Sequence, residues 1–152
     1  MLTIKIPYTC TDTNYPTELH ELRRVQSSCY RSAYQRASEG LVETEIRKYC
    51  REIFPELDSW FVQSALNKGI GQFKADWELD KKKKKEFNGS RIFGGKRNFM
   101  RRMKGLITHE EYQEHRLENL YSIGAKGDYG NRKFNFNTDT ITFKPNRNSH
   151  YE

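Results

Sequence analysis

Residues 81–104, KKKKKEFNGSRIFGGKRNFMRRMK, hold 11 of the chain's 27 Lys and Arg side chains and a single acid, Glu86, for a local charge of +10. Ammonium and guanidinium groups at this density do one kind of chemistry. They hold phosphate oxygens, on a nucleic-acid backbone or, less often, on an anionic membrane. Arg97, Arg101, Arg102 and Lys104 are the foremost candidate phosphate contacts, with Lys96 at the helix start. Arg91 and, from the Lys81 to Lys85 run, Lys83 join them. Phe87, Phe93 and Phe99 lie among the charges, together with Gly89 and the Gly94-Gly95 pair. Aromatic faces stack on bases and glycines let a backbone approach closely, so the mixture reads as a nucleic-acid contact. The plainer alternatives are a solvated Lys run followed by an ordinary basic helix, with Phe99 on that helix's core side.

Other chemistry finds little support. His20, His109, His115 and His150 form no metal signature, and no HExxH or Walker arrangement accompanies them. Ile92-Phe93-Gly94-Gly95-Lys96 has the glycines to cradle a phosphate at a helix start, but it also reads as a tight turn. Glu110-Glu111 falls in a helix's first turn, where the dipole favours acids without a catalytic purpose. No catalytic residue, metal ligand or cofactor site is expected in this chain. Asn131, Arg132 and Lys133 sit before the last strand pair, positioned either for a backbone phosphate or for solvent.

Residues 1–80 carry 10 bases against 12 acids and residues 105–152 carry 6 against 7, so the whole net +7 arises in the central band. At 152 residues the chain suits one domain or two small subdomains. Only 35% of residues are hydrophobic, which implies a thin core, but 13% are aromatic and each of those buries a large area. Cys10, Cys29 and Cys50 form neither a disulfide framework nor a C-x-x-C pair, which fits a reducing compartment. No signal-peptide core or long apolar run is present. The expected setting is cytoplasmic, without a membrane partner.

These candidates must be positioned by the elements around them. Leu2, Ile4, Ile6 and Tyr8 alternate as a strand does. Helices are expected over 17–38 (Thr17 as N-cap; Leu19, Leu22, Val25, Cys29, Ala33 and Ala37 buried) and 42–53 (Val42, Ile46, Tyr49, Cys50 and Ile53). A third is expected over 58–78, from an Asp58-Ser59 cap, with Phe61, Ala65, Ile70, Phe73 and Trp77 inward. Gly69 and Gly71 weaken its middle by roughly 1 kcal/mol each relative to Ala. A short basic helix from Gly95 to Lys104 ends at Gly105, and Thr108-x-x-Glu111 opens another through about Arg116. Phe134 and Phe136, a turn at 137–139, then Ile141 and Phe143 read as a hairpin. The fold class is therefore α+β. A separate helical bundle is inserted between strands of a small antiparallel sheet formed by the chain ends. Segments 1–12 and 130–152 make the β subdomain, 13–80 the bundle, and 81–129 a basic linker with short helices.

The stretch Ile92-Phe93-Gly94-Gly95-Lys96-Arg97-Asn98-Phe99, the later Gly105 and Ile107-Thr108-His109-Glu110-Glu111-Tyr112, and Gly130-Asn131-Arg132-Lys133-Phe134-Asn135-Phe136 carry a resemblance. They are similar to the N-terminal part of TnpB-like transposon-encoded nucleases and the related type V CRISPR effectors. That family has an FGG-K/R-x-x-F segment, a basic helix and then a GNR-x-F strand. Helix order and Trp60 to Ala65 extend the likeness over essentially the whole chain.

The resemblance implies a wedge-type β-barrel interrupted by a helical recognition lobe, holding guide RNA and its heteroduplex with target DNA. The family cuts with a RuvC-type domain, and neither its acidic motif nor the neighbouring Cys₄ zinc motif occurs in this sequence. The chain is then expected to be either a piece of a RuvC-containing endonuclease or a truncated relative that binds without cutting. Backbone capture of RNA would carry the mechanism, sequence being read by base pairing. The alternative is a standalone regulator or inhibitor whose positive band steers it to an acidic protein partner.

Overall fold

The computed structural model describes residues 15–83, 91–124, 130–131, 133–138 and 140–145. Helix α1 (Tyr15–Ser38) begins before the expected Thr17 cap. Pro16 is tolerated there because first-turn N–H groups have no intrahelical acceptor, so its lack of one is harmless. The helix buries Val25, Cys29, Ala33 and Ala37, with Gln26, Tyr30 and Tyr34 beside them. Helix α2 (Glu43–Ile53) starts from Val42, whose N–H donates to the Glu45 carboxylate at 3.1 Å. Ile46 and Cys50 are inward as expected, but Val42 and Ile53 lie at the helix's two ends and are exposed.

Helix α3 (Ser59–Lys82) carries the Asp58 cap that its sequence announces, Asp58 Oδ1 accepting the Trp60 N–H at 2.9 Å. Phe61, Val62, Ala65 and Leu66 are buried against α1 and α2. Two expectations change here. Trp77 is 45% exposed, and the helix runs four residues past its expected end to take in Lys81 and Lys82. Cations in a last turn complement the carbonyl end of the helix dipole, so part of the lysine run is structured helix and not linker.

Gly69 also has a role that propensity alone does not give. A Cβ there would lie 2.8 Å from the Tyr30 carbonyl oxygen and 2.9 Å from the Ala33 Cβ. The missing side chain is what lets α1 and α3 approach.

Helix α4 (Lys96–Met103) and helix α5 (His109–His115) form a short hairpin of helices. Gly105, at φ 68°, ends α4, and the following Leu106 N–H returns to the Arg101 carbonyl at 2.9 Å. Thr108 and Glu111 make the expected reciprocal cap, with bonds of 3.1 and 2.7 Å. From Arg116 the chain runs back along α1 as an extended strap. Gln26 holds the Tyr121 backbone from both sides, at 2.8 and 2.6 Å, and Ser27 Oγ accepts the Glu118 N–H at 2.9 Å.

Strands β1 (Phe134–Phe136) and β2 (Ile141–Phe143) pair antiparallel in the register Phe134 to Phe143, Asn135 to Thr142 and Phe136 to Ile141. The Asn137 N–H closes the turn on the Thr140 carbonyl at 2.9 Å. The helices do not form a bundle separate from this hairpin, because Phe143 enters the helical core and its ring meets Phe61 at 6.2 Å. A three-residue strand pair is too small to bury its own aromatic face, so it uses the bundle's. The expected N-terminal strand, residues 2–8, lies outside the described residues.

Candidate nucleic-acid interface

Helix α4 gathers most of the candidate cations onto one scaffold. Arg97, Arg101 and Lys104 recur at i, i+4 and i+7, which places them along one stripe, and all three are exposed. Lys96, at the first helical position, is exposed as well. Among the described residues none of these four has an acidic partner. The opposite side of α4 anchors it. Phe99 packs tilted on Tyr112 at 6.2 Å, and Asn98 Nδ2 donates to the Gly94 carbonyl at 2.9 Å. Phe99 is therefore the core-facing residue of its helix.

Arg102 occupies the edge between these two sides. Its guanidinium carbon lies 5.5 Å from the Tyr112 ring centroid, half-buried in a cation–π contact. Phe93 is likewise structural, edge-on to Tyr30 at 5.5 Å and to Tyr34 at 5.4 Å. Its carbonyl accepts the Tyr112 hydroxyl at 2.9 Å, which fastens the basic hairpin to the bundle. Neither phenylalanine is a stacking platform, and Phe87 lies outside the described residues.

The glycine turn before α4 is a turn and not a phosphate cradle. The Gly95 N–H, which a cradle would offer to a ligand, donates to the Ile92 carbonyl at 3.2 Å. Gly94, at φ 84°, is required twice over, because a Cβ would also sit 3.0 Å from Arg116 Cγ.

The remaining candidates are spoken for or stand apart. Arg91 Nη1 donates to both carboxylate oxygens of Asp76 at 2.8 Å, so its charge is largely answered within the fold. Burial works against ionisation of Asp76, but hydrogen bonds from Arg91, Gln72 and Tyr34 outweigh it and hold the carboxyl below its usual range. Lys133 is not a phosphate contact. It is 6% exposed and its Nζ lies 3.0 Å from Asp58, with the Phe61 ring centroid 5.4 Å away. A buried ammonium needs a counter-ion, and Asp58 supplies it. Lys83 caps α3, exposed and remote in sequence from the α4 stripe. Arg132 lies outside the described residues.

Sequence reasoning missed Asp76, Asp58 and Tyr112 as the partners that sort these cations. None carries a local signal, since each acts on a residue from another element. Among the described residues no group of three His, Cys, Asp or Glu side chains is placed to hold a metal, and no helix is long and apolar enough to cross a membrane.

A family model described as SSO2105 N-terminal domain matches residues 1–151. No curated protein and no solved structure matches the chain.

Proposed function

We propose that this chain, which belongs to the SSO2105 N-terminal domain family, is a nucleic-acid-binding recognition region that captures RNA or a guide RNA–target DNA heteroduplex by its phosphates. The observation that carries this reading is the stripe of Arg97, Arg101 and Lys104, with Lys96 beside it, exposed on a rigidly anchored helix and without acidic partners among the described residues. Cations that a fold leaves unpaired on one face are positioned for phosphates outside it. The likeness to TnpB-like nucleases supplies the rest. The β1–β2 hairpin belongs to a wedge-type sheet, the helices are the recognition lobe, and cutting resides in a RuvC-containing part of a longer parent protein. Binding is to backbone, so base readout by this chain is slight. The setting is cytoplasmic.

One observation favours a second reading. Met100, Met103 and Leu106 are 44%, 66% and 65% exposed next to the cationic stripe. An apolar patch rimmed by positive charge also suits an acidic protein partner, as a regulator or inhibitor would use it.

Purification at low salt distinguishes the two. A recognition region copurifies with nucleic acid, seen as strong nucleobase absorbance that a high-salt wash removes, and leaves added DNA uncut in Mg²⁺. A preparation free of nucleic acid that fails to bind added RNA at low salt would refute the first reading and leave the second.

A further inference from the structure

Two guanidinium groups, those of Arg102 and Arg116, approach the ring of one buried tyrosine, and a third, Arg31, is bonded to the backbone of Arg116. Arg31 of α1 donates from Nη1 to the Arg116 carbonyl at 3.0 Å and from Nη2 to Ser28 Oγ at 2.8 Å. Arg116, just past α5, donates to Gln113 Oε1 at 3.2 Å and places its guanidinium carbon 5.9 Å from the Tyr112 centroid. Arg102 of α4 approaches the same ring at 5.5 Å. Tyr112 itself is 5% exposed.

Among the described residues, every hydrogen-bond and ring partner of these three arginines is neutral. Arg24, Arg36, Arg47 and Arg91, by contrast, each hold a carboxylate at 2.6–2.8 Å. Glu118, whose charge favours the Arg31 guanidinium, is itself bonded to Lys68 at 3.0 Å. Burial, and after it the charge of Arg116, pull the Arg31 guanidinium down to about 10. It stays protonated at neutral pH, so the like charges of Arg31 and Arg116 are held near each other in partly desolvated surroundings. An anion relieves such an arrangement, and planar guanidinium forks match phosphate oxygens.

We propose that Arg31, Arg102 and Arg116 form an anion site around Tyr112 that takes a phosphate group. Arg102 joins this site to the α4 stripe, so a nucleic-acid backbone lying on α4 continues across the end of α5 onto α1. For a nucleic-acid phosphate the proposal rests on the recognition-region reading above; for a free phosphate compound it does not.

The test compares the whole chain with its R116Q and R102Q variants, and with R24Q, which makes the same change of net charge on α1 away from the cluster. Thermal unfolding is followed in sodium pyrophosphate against sodium chloride at equal ionic strength. Binding of a single-stranded RNA of about 15 nucleotides is followed by fluorescence anisotropy over a range of salt. R116Q is expected to lose most of the pyrophosphate stabilisation, to weaken RNA binding roughly tenfold and to reduce the salt slope by about one. R102Q, whose guanidinium makes only the ring contact among the described residues, keeps the test valid if R116Q folds poorly, and R24Q should match wild type. Pyrophosphate stabilisation that depends on Arg116 in a chain that binds no RNA would support the site with a free phosphate ligand and defeat the recognition-region reading. Wild-type pyrophosphate response and wild-type RNA affinity in both R116Q and R102Q would overturn the site, even with RNA binding intact.

Discussion

The ammonium of Lys133 lies 3.0 Å from one carboxylate oxygen of Asp58, while the other oxygen accepts the Trp60 N–H at 2.9 Å. A single acid thus caps α3 and ties the entry of the terminal hairpin to it. The two side chains are 7% and 12% exposed, so this is a buried pair whose partners depend on each other. Removing one member of such a pair leaves an uncompensated charge and costs about 3 kcal/mol. Lys133→Met should lower the free energy of urea unfolding by about that much. Its RNA salt dependence should match wild type; a shallower slope would return Lys133 to the list of phosphate contacts.

Asp76 makes stability depend on acid in a defined direction. Its folded carboxyl ionises below its usual range, so the stabilisation it provides is complete above the unfolded value of about 3.9 and is lost as pH falls through the folded value. Asp76→Asn should remove roughly 1–3 kcal/mol at neutral pH. It should also flatten the loss of stability below about pH 4. Unfolding midpoints measured in urea from neutral pH downward check both parts. A variant curve parallel to wild type throughout would mean that the contacts of Asp76 with Arg91, Gln72 and Tyr34 do not matter in solution.

The two glycines of α3 should respond with opposite signs. Gly71 has nothing within 4 Å of an added Cβ, and Gly71→Ala should stabilise by roughly 0.5–1 kcal/mol through helix propensity alone. Gly69→Ala meets the α1 backbone and should destabilise by roughly 1–3 kcal/mol through overpacking. Thermal midpoints moving the same way in both variants would contradict the close approach of α1 and α3.

The contrast between these glycines shows where sequence reading reaches and where it stops. Local signals were sufficient for the caps at Asp58 and Thr108, the stop at Gly105, the inward stripe of Val25, Cys29, Ala33 and Ala37, and the alternation of the terminal hairpin. In each, the cause lies within a few residues of the effect. The close approach at Gly69, the insertion of Phe143 beside Phe61 and the pairing of Lys133 with Asp58 depend on residues far apart in sequence. The charge band was legible as a band, but not its sorting. Helical spacing alone could have separated Arg97, Arg101 and Lys104 from Arg102. Nothing local distinguishes Arg91, answered by Asp76 fifteen positions earlier, from neighbours that have no acidic partner among the described residues. The expected pairing of residues 2–8 with the hairpin lies outside the described residues.

That sorting yields the most direct test of the interface. If roughly 5 phosphates are neutralised on binding, log K against log salt concentration should slope at about −3.5 to −4.5. Changing Arg97, Arg101 and Lys104 together to Ala should reduce the slope by about two to three units. RNAs of unrelated sequence should weaken alike, since backbone contacts carry little base information. The helix should persist, because alanine is the strongest helix former and the anchoring contacts of Asn98, Phe99 and Arg102 lie on other sides of α4. Arg91→Ala, by contrast, should change stability through Asp76 more than it changes the slope. Anisotropy titrations on RNA at several salt concentrations, with circular dichroism to establish the native fold, distinguish these outcomes. A folded triple variant with wild-type affinity and slope would exclude the α4 stripe as the nucleic-acid contact.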